Sequence, residues 1–218
     1  MRGTIEYDNF VSSCQYFAEK TKQIDPGWQL RSSKYDQKLK YLEKRSMVIN
    51  QNNQCHNKSA ESKKGKEDFT VQNADEADAA CVKVVSGDGR EVMYMYHIIY
   101  NASYSVPVLY FTAMTKDGKS LELDEIWGQV PDVYGDALVD KWSFLTQTEH
   151  PLLGYPVFHI HPCNTAKMMG NLLPVDIHTS KHRYVPLWLS AVGPLVGLHL
   201  ATDLFTEEKE LQMKSNEN

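Results

Sequence analysis

The sequence lacks the pairs on which most cysteine chemistry depends. Its four cysteines, Cys14, Cys55, Cys81 and Cys163, include no CxxC pair. That spacing offers neither a disulfide framework nor a structural zinc module. A surplus of positive charge is also missing, with 23 Lys and Arg against 28 Asp and Glu and a formal net charge of −5. A nucleic-acid reader neutralises phosphates with such a surplus, so no nucleic-acid partner is expected. Long apolar runs are absent as well. The most apolar stretch, Pro186 to Leu200, is too short to span a bilayer and is broken by Gly193-Pro194. The opening MRGTIEYDNF has no apolar signal core. The expectation is a soluble, cytoplasmic protein without a transmembrane segment. What is present is enough chain for one self-supporting core: 218 residues, 42% of them hydrophobic.

Apolar residues recur at helical spacing over 3–24, at Tyr7, Phe10, Val11, Cys14, Phe17 and Ala18, and Pro26-Gly27 ends the run. This predicts an amphipathic helix with Cys14 serving as a small core hydrophobe. Short strands are expected over 28–31 and 39–49. From Asn50 to about Ala80 the chain turns polar, with little beyond Phe69 and Val71 to offset the entropy of ordering. It reads as a flexible insertion containing Cys55, either a solvated loop or a partner-docking segment. Residues 91–100, EVMYMYHIIY, alternate with period two and predict a strand covered on both faces. Asn101-Ala102-Ser103 then turns the chain into a second strand, VPVLYFTAMT, which makes a hairpin. Asp117-Gly118 marks a tight turn, and Asp124 is the expected cap of a short helix. After the loop EHPLLGYP, Val157 to His161 is extended, Thr165 is the expected N-cap of AKMMGNLL, and YVPLWLSAVGPLVGL predicts a buried terminal helix. Trp127, Trp142 and Trp188 are expected to anchor helices against the sheet. His178 and His182 lie in a polar stretch and read as surface. The fold class is α+β: one domain over 1–205, an insertion at about 50–80 and a frayed tail over 206–218.

Reactive side chains are densest in FHIHPCNT, residues 158–165. The residues alone leave three readings open. His159, His161 and Cys163, with His150 as a fourth candidate, could ligate zinc, although Pro162 interrupts the row. Packing residues at a strand end are the simplest reading. Alternatively, Cys163 is an acyl-carrying nucleophile. It lies on a proline-stiffened turn ahead of a helix N-terminus, where an anion is favoured, and thiolates are both good nucleophiles and good leaving groups.

The segments YHIIYNASYSVPVLYF, KDGKSL, EHPLLGYPVFHIHPC and WLSAVGPLVGL together resemble the E2-like conjugating enzymes of autophagy, over most of residues 90–200. The resemblance implies a ubiquitin-conjugating-enzyme-like core, an antiparallel β-meander flanked by helices. It implies that Cys163, the cysteine of the HPC motif, accepts autophagy-related protein 12 as a thioester. The donor would be the E1-like autophagy-related protein 7 and the acceptor a lysine of autophagy-related protein 5, in support of autophagosome formation. The second ubiquitin-like modifier of autophagy is a further candidate partner. No cofactor or metal is implied, because ATP is consumed one step earlier by the E1.

The chain departs from ordinary ubiquitin-conjugating enzymes at one point. Those carry His-Pro-Asn several residues before their cysteine, and the asparagine stabilises the oxyanion. Here His161-Pro162 runs directly into Cys163. Asn101, Asn164 and backbone N–H groups are the candidate substitutes, and both asparagines also read as plain turn or cap residues. The missing asparagine keeps a second class open, a non-catalytic adaptor with a conjugating-enzyme fold. A hydrolase built on the His/Cys cluster is a third, and its cysteine form requires an imidazole on the thiol.

Overall fold

A computed structural model describes residues 2–50, 90–128, 144–173 and 181–205. The insertion at 50–80, Cys55, Cys81, Trp142, His178 and the tail at 206–218 lie outside the described residues, apart from Asn50 at the end of a strand.

Helix α1 spans Tyr7–Ile24 and buries Phe10, Ser13, Cys14, Phe17 and Thr21. This is the stripe the periodicity predicts, and burial raises the Cys14 thiol pKa well above its usual value, as suits a packing residue. The helix starts at Tyr7 rather than at residue 3, because residues 2–6 are used elsewhere, as described below. At its far end the Asp25 N–H bonds to the Thr21 carbonyl at 2.9 Å. The Asp25 carboxylate pairs with Lys44 and accepts from Trp28 Nε1 at 3.2 Å. Lys44 is buried, and its ammonium lies 5.4 Å from the Trp28 ring centroid. A buried ammonium needs such compensation. This clasp joins the helix to the sheet.

Among the described residues, six strands form one antiparallel sheet: β1 (Gln29–Ser32), β2 (Lys40–Asn50), β3 (Arg90–Asn101), β4 (Val106–Thr115), β5 (Leu145–Glu149) and β6 (Pro156–Ile160). Their spatial order is β1-β2-β3-β4-β6-β5. The β3–β4 hairpin pairs Tyr96 with Phe111 and Asn101 with Val106. Strand β6 then joins β4, with Tyr110 opposite His159 and Phe111 opposite Phe158. The polar edge strand β5 was not evident in the sequence. LTQTE has one large apolar residue, Leu145, and the rest of its side chains are at least partly exposed.

Period two divides the sheet into two faces. One carries Leu42, Tyr94, Tyr96, Ile98, Leu109, Phe111, Phe158 and Ile160 in the main core with α1. Tyr94 and Tyr96 stack at 5.5 Å between centroids, and Tyr96 OH donates to the Val196 carbonyl at 3.0 Å. The opposite face holds a smaller cluster of Tyr41, Ile99, Val108, Tyr110 and Val157, covered by Leu152 and Tyr155. The expected cover on both faces of β3 therefore holds at His97 and Ile99 but not at Met93, which is exposed.

The short helix α2 is Leu123–Trp127, and its cap is Glu122 in a capping box with Glu125, not Asp124. Asp124 already sits inside the first turn, where its charge favours the helix end. Helix α3 is Thr165–Leu172, so Thr165 is its first residue rather than its cap. The reason is that a 3-10 turn, Pro162–Asn164, runs straight into the helix and moves the capping function upstream to His161. Helix α4, Tyr184–Val192, buries Tyr184, Val185, Pro186, Trp188, Leu189 and Val192. Gly193 is its C-cap and leads into a 3-10 turn, Gly193–Val196, and a Cβ at Gly193 would lie 2.6 Å from the Leu198 carbonyl oxygen. Trp188 is fully buried and Trp127 packs on the same core at partial burial, while His182 is exposed as expected.

Candidate active site

Cys163 is exposed and stands in the turn between β6 and α3. The chain leaves the sheet at Ile160, and buried Pro162 limits its path. The His161 N–H donates to the Phe144 carbonyl at 2.8 Å. Its ring then turns forward, so that the Cys163 N–H donates to His161 Nδ1 at 3.2 Å. A nitrogen that accepts carries no proton, so the neutral ring holds its proton on Nε2. His161 therefore holds the backbone of the cysteine and leaves the thiol projecting into solvent.

The β3–β4 turn forms the neighbouring wall. The Tyr104 ring meets His161 edge to face, 6.0 Å between centroids. The Tyr104 N–H donates to Asn101 Oδ1 at 3.1 Å. With Oδ1 committed, Asn101 presents Nδ2 as a donor, and among the described residues no group accepts from it. Asn164 is exposed at the N-cap position of α3 and makes no side-chain cap bond.

Residues 2–6 tie these two walls together. The Ile5 N–H donates to the Ser105 carbonyl at 2.9 Å, and Tyr100 OH donates to the Ile5 carbonyl at 3.0 Å. Tyr184 OH donates to the Gly3 carbonyl at 2.6 Å. Gly3 has φ of 92°, and a Cβ there would lie 1.9 Å from the Ala166 carbonyl oxygen and 2.5 Å from the Gly170 nitrogen. The first residues thus lie directly on α3, the helix that follows Cys163, and clip it to the turn bearing Asn101. Gly3→Ala is expected to lower folding stability by roughly 3 kcal/mol, since both the left-handed backbone and the close approach oppose a side chain. Urea unfolding measures it, and an unchanged midpoint would show that this clip holds nothing.

The four candidate metal ligands have separate partners. His159 is stacked on Tyr110, 5.7 Å between centroids and 18° between planes, with Nδ1 3.3 Å from Thr146 Oγ1. Burial lowers its pKa. His150, the fourth candidate, is buried. Its Nδ1 accepts from the N–H groups of Leu152 and Leu153, both at 3.1 Å, and its Nε2 lies 2.7 Å from His97 Nδ1. Among the described residues no three His, Cys, Asp or Glu groups are placed to hold a metal ion. The hydrolase reading loses its base as well, because His161 Nδ1 is engaged by the Cys163 backbone rather than the thiol. The sequence marks Cys163, Asn101 and Asn164. It does not mark Gly3 or Tyr104, whose contacts with Ala166, Gly170 and His161 come from distant segments.

Residues 9–203 match the family model described as autophagocytosis associated protein, active-site domain. The antiparallel α+β sheet is consistent with this match, and the class is that of E2-like conjugating enzymes for ubiquitin-like proteins. The chain is 35% identical over 206 residues to the ubiquitin-like-conjugating enzyme ATG10 of Homo sapiens, covering 90% of this chain and 93% of that one. It is 38% identical over 122 residues to ATG10 of Arabidopsis thaliana, covering 51% and 52%. It is 26% identical over 120 residues to autophagy-related protein 3 of Pichia angusta, covering 54% and 33%. The chain belongs to the ATG10 family of ubiquitin-like-conjugating enzymes. Among the described residues no helix is long and apolar enough to cross a membrane.

Proposed function

We propose that Cys163 is the nucleophile that carries a ubiquitin-like modifier as a thioester, within a single domain over residues 1–205 that works in the cytoplasm. One observation carries the reading. The exposed thiol stands on a turn whose backbone is held by His161 Nδ1, inside the stretch matched by the active-site-domain family. The modifier is autophagy-related protein 12, the donor the E1-like autophagy-related protein 7, and the acceptor a lysine of autophagy-related protein 5. The similarity to ATG10 supports this assignment.

The chemistry proceeds by two acyl transfers. The Cys163 thiolate attacks the carbonyl carbon of the E1 thioester. A new C–S bond forms, the old one breaks, and the E1 thiolate departs. This exchange of one thioester for another is close to neutral in energy. The acceptor amine then attacks the carbonyl carbon to give a tetrahedral oxyanion. Collapse expels the Cys163 thiolate, leaves an isopeptide bond, and releases the extra amine proton to a base or to solvent.

Developing negative charge needs donors aimed at it. Asn101 is the donor we favour, because the Tyr104 N–H occupies Oδ1 and leaves Nδ2 as the amide's donor in the turn whose Tyr104 meets His161. The Cys163 N–H is already engaged by His161, and Asn164 lacks a comparable anchor. Asn101→Ala is expected to slow isopeptide formation by about a hundredfold or more, the scale of losing one oxyanion donor. Charging of Cys163 should fall less, because both steps start from a thioester but the thiolate is a stronger nucleophile than the acceptor amine. Single-turnover discharge of the preformed thioester onto autophagy-related protein 5 measures this, and unaltered discharge would remove Asn101 from the mechanism.

A further inference from the structure

The β3–β4 turn holds a large side chain out in solvent. Tyr104 is 44% exposed, yet its backbone is fixed from both sides. Its N–H is bonded to Asn101 Oδ1. The next residue, Ser105, has φ of 52°, a left-handed conformation that costs a non-glycine residue roughly 1 kcal/mol or more. The Ser105 carbonyl is held by the N–H of buried Ile5. Strain maintained by several bonds around an exposed aromatic residue contributes little to packing, so its use lies outside the core. The ring also sits against His161, which in turn grips the backbone of Cys163.

We propose that Tyr104 is a specificity-determining contact that receives the C-terminal peptide of the modifier as its carboxyl group reaches Cys163. This deepens the proposed function and rests on it. Cys163 stands on an open turn, so an incoming tail has to be steadied by surface groups beside it. A rigid aromatic face supplies wide apolar contact for little loss of side-chain freedom, while its hydroxyl stays in water. In the transfer, the Cys163 Sγ–carbonyl bond forms as the E1 thioester bond breaks. Tyr104 makes no bond in that step, so it acts on the concentration dependence of charging rather than on the limiting rate.

The test compares wild type, Tyr104→Ala and Tyr104→Phe, charged by autophagy-related protein 7, ATP and increasing autophagy-related protein 12. Tyr104→Ala should raise the half-saturating concentration of the activated modifier by about tenfold, equivalent to about 1.4 kcal/mol. Its limiting rate should stay within about twofold. Tyr104→Phe, which keeps the ring, should restore the wild-type concentration dependence. Iodoacetamide alkylation of Cys163, followed by mass spectrometry of its peptide, reads the intrinsic thiol without any partner and should not differ between the three. An unchanged half-saturation in Tyr104→Ala overturns the proposal. So does an alkylation rate that falls in step with charging, because Tyr104 would then act only by positioning His161. If wild type never charges while its thiol alkylates normally, the proposed function fails first and this contact falls with it.

Discussion

Cys163→Ala is expected to abolish the modifier adduct, and Cys163→Ser to replace a reductant-sensitive species with a reductant-resistant one. The expectation follows from where the sulfur sits. Among the described residues the other cysteine is Cys14, fully buried in α1, where a thioester has no room and desolvation opposes the thiolate. Cys163 is the exposed thiol on a turn whose backbone His161 fixes. Serine keeps the geometry, but its alkoxide is a far poorer leaving group than a thiolate, so an acyl group transferred to it is trapped as an oxyester. The measurement is electrophoresis of the protein after incubation with E1, modifier and ATP, with and without reductant. Loss of at least a hundredfold in coupling is expected for alanine, on the scale of removing any covalent nucleophile. Undiminished coupling by Cys163→Ala in a purified mixture would favour a non-catalytic adaptor instead.

The second large effect is acid destabilisation through a histidine pair on the opposite face of the sheet. His97 and His150 are both buried. The two loop N–H groups on His150 Nδ1 require its proton to sit on Nε2, from which it is donated to His97 Nδ1 at 2.7 Å. His97 Nε2 then faces Glu43 Oε2 at 3.6 Å, beyond hydrogen-bond distance. A proton added to either ring breaks this chain of donors and acceptors. Burial, together with Arg45, pushes the His97 pKa from 6.5 to about 4. Burial, together with His97, does the same for His150.

Because both folded-state values lie below the unfolded one, the unfolded chain takes up protons that the folded chain refuses. The stability from keeping both rings neutral is fully present above pH 6.5 and is lost as the pH falls through that value toward about 4. Each ring accounts for a loss of about 2 kcal/mol at about pH 5. Urea unfolding near pH 7.5 and near pH 5 measures the change. His150→Asn keeps an acceptor for the loop and removes one titrating ring, so it should flatten the pH dependence. A wild-type unfolding free energy that moves by less than about 1 kcal/mol between the two conditions would contradict the arrangement of this pair.

Much of this molecule was legible in its residues. The α1 stripe, the β3–β4 hairpin and the terminal helix were legible because each follows a repeat of 3.6 or 2 that apolar side chains enforce locally. Helix caps were less so. Asp124 and Thr165 are cap residue types, but Glu122 caps α2 through a capping box, and the 3-10 turn that His161 caps leaves Asn164 at the N-cap position of α3. Strand β5 escaped because a polar edge strand needs no apolar alternation. At the site, the HPC motif marked Cys163, and its neighbours gave no sign of which imidazole served which purpose.

By itself, then, the chain indicated the class of fold, pointed to Cys163 as the candidate nucleophile and offered Asn101, Asn164 and backbone N–H groups as candidate donors, since each resides in a short run of residues. Tertiary structure alone decided the rest. It stacked His159 on Tyr110 and set His150 against His97. It also brought the first residues of the chain onto the helix behind Cys163. Those outcomes depend on contacts between segments as much as 181 residues apart, as for Tyr184 and Gly3. Local pattern cannot encode such contacts, because the partner that satisfies each polar group is chosen only when the sheet and helices close on one another.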